Sequence, residues 1–197
     1  MGIFLLYLPT RRNMLVYVKR KRYLISAGIA GIVAVGVWWW NWQAPYRTLT
    51  VFLTALETGD TKTLYALTPI YERRFVTPEL IDSTYQNFLK PKLLTKKRLI
   101  KIRRTSIKRP SLPEVSLSRV RAVRFYLWFQ DKQGKEMVTA VIIQRPPTEE
   151  IWKVPFSTFV FNTCLSLYGS LNADKVMASL GFAWIALPEG GVSWVIK

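Results

Sequence analysis

Histidine is absent from the chain, and with it goes the side chain most often used as a general base near neutral pH and as a metal ligand. Only acids, Lys, Tyr and one thiol remain to carry chemistry. That thiol, Cys164, is the single cysteine of 197 residues. It cannot close an internal disulfide, so an exported domain would stand on its packing alone. Acidic residues are scarce too, with 12 Asp and Glu against 29 Lys and Arg, and none precedes Glu57. The glycine loops that cradle phosphate and the acidic clusters of calcium loops are also missing. Glu57 and Asp60 flank a helix corner, Glu72 lies beside Arg73 and Arg74, and Glu149-Glu150 sits in a loop; each reads as a cap or a solvated charge. The sequence therefore offers no catalytic, cofactor-binding or metal-ligating residue, and the chain is expected not to be an enzyme.

A long uncharged run is present. Between Tyr23 and Trp42 there is no Asp, Glu, Lys or Arg, and a helix of that length rises about 30 Å, close to the hydrocarbon thickness of a bilayer. The run ends in Trp38, Trp39, Trp40 and Trp42, rings suited to a membrane interface. Bulky Trp42 stands where a cleavage site needs a small residue, so the reading is an uncleaved signal anchor over 23–42. Arg11, Arg12, Lys19, Arg20, Lys21 and Arg22 precede it, which makes residues 1–22 a basic cytoplasmic tail and sends residues 46–197 to the far side. Met14 offers an alternative start with the same topology. Ser26, Ala30 and Ala34, like Ala27 and Gly31, recur every fourth residue and would allow close helix approach. The address implied is the inner membrane of a cell, crossed once, with the lipid bilayer as first partner.

Formal net charge is +17. Six of the basic residues lie before the run and every acid lies after it, leaving the later part at +11. Lys90 to Arg109 holds ten basic residues in twenty and no acid. Within it Lys97, Arg98, Lys101, Arg103 and Arg104 interrupt an apolar pattern (Leu99, Ile100, Ile102) that reads as a strand. These five are the candidate contacts for an anionic partner, such as an envelope polymer or lipid headgroups. They also suit the protection of an edge strand against aggregation. No recognised motif accompanies the charge, which weighs against nucleic acid. Tyr126 and Trp128 alternate with Arg124, which could make a stacking face, although alternating aromatics are ordinary strand residues.

The pattern after residue 45 predicts an α+β fold: helices first, then an antiparallel meander. Leu49, Phe52, Leu53 and Leu56 have helical spacing, Gly59 can end that helix, and Asp60 can cap the next, closed by Thr68-Pro69. Thr77-Pro78-Glu79 starts another helix, with Ile81, Tyr85 and Phe88 on its inner face. Past a loop at Pro110 and Pro113, Val123, Phe125, Leu127 and Phe129 point one way, and Asp131 to Gly134 turn into a strand from Met137 to Ile143. The stretch around Trp152 adds a turn and a strand. Phe161, Cys164, Leu165 and Tyr168 have helical spacing, with Cys164 as a small buried hydrophobe. Asn172 could cap a short helix ending at Gly181, and a final hairpin turns around Pro188 to Gly191.

The helix pair with its "GD" corner, the capped helix from Thr77 and the cadence "DKQGKEMVTAVII…EEIWKV" together resemble the nuclear transport factor 2-like superfamily, in particular its small exported, membrane-anchored members. The resemblance covers 46–154; residues 155–197 are a C-terminal extension without a family guide. It implies about three helices packed on a curved sheet in a cone, often with a pocket and often dimeric. Enzymatic members place an Asp and a His in that pocket, and this chain has no His. The expected function is a membrane-anchored, non-catalytic binding module of the cell envelope, with a homodimer or larger complex as its assembly. The alternatives are a structural subunit of an envelope or secretion complex, whose layout resembles the single-span scaffolds of type IV secretion systems, and an enzyme with a carboxylate pocket.

Overall fold

The computed structural model describes residues 11–106, 121–146, 148–186 and 192–196, with side chains from 28 to 105, 121 to 146 and 148 to 182. The basic tail's side chains, Ser26, Ala27, the Pro110 and Pro113 loop and the Pro188–Gly191 turn lie outside that description. The chain divides into two compact units, Met1–Gln43 and Ala44–Lys197. Helix α1, Arg11–Thr58, passes through the division just ahead of Pro45, which has no N–H for the helix ladder.

In the first unit the anchor expectation is corrected. Among the described residues no helix is long and apolar enough to cross a membrane. The residues after Val37 mix tryptophan with Asn41 and Gln43, which pull the mean hydropathy down. The transmembrane helix at 23–42, the signal anchor, and the single-pass inner-membrane address with a cytoplasmic N-terminus are not supported. Trp38, Trp39, Trp40 and Trp42 are exposed, and Trp38 stacks on Trp42 with centroids 5.9 Å apart. Their reading as interface anchors rested on that span.

The second unit is α+β. Its part of α1 buries Leu49, Phe52, Ala55 and Leu56, one stripe of a 3.6-residue repeat. Gly59 ends the helix at φ +74°, and the Asp60 carboxylate accepts from the Thr63 N–H at 3.0 Å to start α2, Thr61–Leu67. A single turn, α3, spans Ile70–Arg73. Thr77 caps α4, Pro78–Thr84, with Pro78 in its first turn. A π-helix, Tyr85–Leu94, continues it and contains Pro91; the wider turn relieves the clash a proline ring makes with the carbonyl four residues back.

Three antiparallel strands come next, β1 Lys97–Ser106, β2 Arg121–Asp131 and β3 Glu136–Arg145, in the order β1-β2-β3. The β2–β3 turn is held by the Asp131 carboxylate, which accepts from Gln133 N at 3.0 Å and Lys135 N at 2.9 Å. Where the sequence suggested a further strand near Trp152, there is one isolated bridge between Gln144 and Lys153. Helices α5, Phe156–Tyr168, and α6, Ser170–Ser179, come after the sheet, and a separate hairpin joins β4, Phe182–Ala186, to β5, Val192–Ile196. The α6 helix starts from Gly169 at φ +77°, ahead of the expected cap at Asn172. The described residues hold six α-helices and a π-helix, more than the three or so that the resemblance implied for the domain; α5 and α6 fall where helical spacing was expected after residue 155.

One core joins these parts. Alternate residues of β2 (Val123, Phe125, Leu127, Phe129) and of β3 (Met137, Val141, Ile143) are buried together with Phe52, Leu89, Phe156 and Phe159. Phe52 meets Phe159 edge to face at 5.0 Å, a geometry worth about 1 kcal/mol beyond area burial. The β3 edge is covered by α5: Asn162 Nδ2 donates to the Ala140 carbonyl at 3.0 Å and Ser166 Oγ to that of Val138. The other edge, β1, carries the basic residues.

Candidate functional site

A bulge decides where the basic side chains go. Strict alternation would place Arg98 opposite in face to Lys101 and Arg103. In the β1–β2 register Arg98 faces Gln130, Leu99 faces Phe129, Lys101 faces Trp128, Ile102 faces Leu127, Arg103 faces Tyr126 and Arg104 faces Phe125, with the slip between Leu99 and Lys101. Ile100 is the extra residue. Because Phe125, Leu127 and Phe129 are buried, Arg98, Lys101 and Arg103 lie on the opposite, outer face.

Five candidate residues therefore separate into three and two. Lys97 pairs with Asp131 at 3.6 Å. Arg104 sits 5.2 Å above the Tyr46 ring, which itself meets buried Phe125 edge to face at 5.0 Å. The outer three instead join β2 residues of the same face, namely Arg124, Tyr126 and Trp128, all partly exposed. The Lys101 ammonium lies 5.4 Å from the centroid of Trp128. Arg124 Nη1 donates to the Tyr126 hydroxyl at 3.3 Å. Tyr126 and Trp128 are 6.0 Å apart, inclined by 60°. Across the strand on β3 stand Ala140 and Val138, opposite Tyr126 and Trp128. Small and aliphatic neighbours leave the rings unscreened on that side. The acids of the ladder lie at its hairpin end, Asp131 opposite Lys97 and Glu136 opposite Gln130.

A second polar group lies elsewhere. Glu72, buried at 4 % exposure, accepts hydrogen bonds from Phe156 N at 2.9 Å, Ser157 N at 2.8 Å and the Ser157 hydroxyl. It caps α5 from α3. Burial pushes its carboxyl up to about 7, against the pull of the Ser157 hydroxyl and the two N–H groups. Glu149 Oε1 accepts from Ile70 N at 3.0 Å, and its other oxygen lies 3.4 Å from Lys153 Nζ, which donates to the Ala66 carbonyl at 2.8 Å. An acid this desolvated is what an enzymatic pocket requires, yet every donor around Glu72 belongs to the fold's own backbone or to Ser157. Asp82, on α4, is exposed. Cys164 is buried, and that burial pushes its thiol up to about 12, far from a thiolate.

Sequence reasoning missed the capping role of Glu72, since its partners lie 84 and 85 positions away. It saw Arg124, Tyr126 and Trp128 as one alternating set but could not join them to β1 without the bulge. Among the described residues no three acids or cysteines form a group that could hold a metal ion. No model of a known family, no curated protein and no solved structure matches the chain.

Proposed function

We propose that this chain is a non-catalytic binding module that holds a polyanion on the outer face of the β1–β2–β3 sheet. The supporting observation is the bulge at Ile100, which sets Arg98, Lys101 and Arg103 beside Arg124, Tyr126 and Trp128 on one face. Edge protection alone needs charge along β1; it does not need guanidinium and ammonium groups gathered with two aromatic rings. The non-catalytic part rests on how the buried acids are used, as helix caps with their lone pairs engaged. Membership of 46–154 in the nuclear transport factor 2-like superfamily belongs to the same proposal, supported by the Gly59-Asp60 corner and the meander after the capped helix.

The test is fluorescence anisotropy of the full-length chain with labelled inorganic polyphosphate at rising salt. Binding should weaken steadily with salt. A Lys101→Glu, Arg103→Glu double variant should bind about tenfold or more weakly, while Lys132→Glu, Lys135→Glu at the exposed hairpin turn, with the same change in net charge, should lose much less. Equal losses in the two variants would reduce the effect to net charge and remove this face from the account.

A further inference from the structure

We infer that the polyanion is a single strand of nucleic acid, its phosphates held by Lys101, Arg103 and Arg124 and two successive bases stacked on Tyr126 and Trp128. This rests on the polyanion reading and adds a chemical class to it. Any polyanion satisfies the cations, so the rings must discriminate. Their attitude does so. The Tyr126 hydroxyl receives a hydrogen bond from Arg124, two residues back on the same strand and face, so the ring is held beside a cation. Trp128, one step further on, has the Lys101 ammonium over its ring. Two partly exposed rings inclined to one another by 60° can each take one base on a π-face. Rings that enter a lipid interface must instead project beyond their surroundings, and these are only partly exposed.

The spacing agrees. The two centroids are 6.0 Å apart, wider than the stacking distance within a duplex strand, about 3.4 Å, so neighbouring bases would be received unstacked, as sheet platforms for single strands receive them. Basic groups adjoin the rings along β1, at Lys101 and Arg103, and at one end on β2, at Arg124. A backbone running along the β1–β2 ladder would therefore meet a cation at each step. A duplex hides its base faces and would gain only the charge term. No sequence preference is built in, because a π-face accepts every base.

The experiment compares four probes on the full-length chain: a deoxythymidine oligomer, an abasic oligomer with the same number of phosphates, inorganic polyphosphate, and vesicles containing acidic phospholipid. The thymidine strand should bind at least tenfold more tightly than the abasic one, with a log–log salt slope of about −2 to −3 for three or four phosphate contacts. Trp128→Leu and Tyr126→Leu should each weaken thymidine binding by roughly tenfold and leave abasic binding unchanged. The comparison on the unaltered chain stands even where a variant misfolds. Equal affinity for the thymidine, abasic and polyphosphate probes would overturn the stacking inference and keep the polyanion reading. Tighter binding to vesicles than to any strand would overturn it in favour of a lipid surface. Failure with all four probes would overturn both.

Discussion

Replacing Glu72 by Ala tests how α3 and α5 are tied together. The carboxylate accepts from Phe156 N, Ser157 N and the Ser157 hydroxyl, and α5 has no side-chain cap from its own N-cap residue, Pro155. Loss of a cap costs about 1–2 kcal/mol. Each buried donor left without a partner adds about 1–3 kcal/mol, less whatever entering water restores. A destabilisation of about 2–5 kcal/mol results, which for a chain of this size lowers Tm by roughly 5–15 °C. Thermal unfolding monitored by circular dichroism on the full-length chain reads this directly. The pH profile supplies an independent check. The folded-state value, about 7, lies above the ordinary 4.5, so between those values the folded chain holds the proton that the unfolded chain releases. The stability due to Glu72 is therefore highest below pH 4.5, falls as pH rises toward 7 and levels off above it, with an upper bound of about 3 kcal/mol at 1.36 kcal/mol per unit. Glu72→Gln removes that titration, so the difference between parent and variant should flatten above pH 7. A Tm for Glu72→Ala within 1–2 °C of the parent would refute the capping account, and a parent–Gln difference independent of pH from 4 to 8 would refute the burial-raised carboxyl.

Thr84 Oγ1 is buried without a hydrogen-bond partner, so Thr84→Val should leave stability unchanged or raise it by about 1 kcal/mol in urea unfolding; a loss above 1 kcal/mol would reveal a bond there. Gly59 is at φ +74°, and a Cβ would lie 3.1–3.3 Å from the Tyr85 ring, so Gly59→Ala should destabilise by at least 1 kcal/mol in the same assay. The Cys164 thiol should resist a thiol-labelling reagent in the native chain at pH 8 and react fully once unfolded; fast native labelling would contradict its burial.

Local chemistry makes part of this fold legible. The Gly59-Asp60 corner and the Thr77-Pro78-Glu79 start are encoded in adjacent residues, because caps act within one helical turn. The alternation of Val123, Phe125, Leu127 and Phe129 reveals the buried face of β2 since each residue answers to the same core. Other features answer to partners far along the chain. Glu72 reads locally as one charge beside Arg73 and Arg74, and only folding brings it to Ser157. The bulge at Ile100 cannot be read from β1, whose apolar and basic residues fit either register until Phe125, Leu127 and Phe129 select one. The uncharged run before Gln43 has the length of a bilayer span, but absence of charge is a weaker criterion than hydropathy. Tryptophan, Asn41 and Gln43 occupy its end and lower the mean hydropathy there.

The central claim, that one face of the sheet receives the polyanion, is tested most directly by crosslinking. A photoreactive thymidine oligomer bound to the full-length chain, with subsequent proteolysis and mass spectrometry, should mark peptides containing Lys101, Arg103, Tyr126 and Trp128, and competition by unlabelled strand should erase the marks. Crosslinks confined to other parts of the chain, with β1 and β2 unmarked, would contradict it.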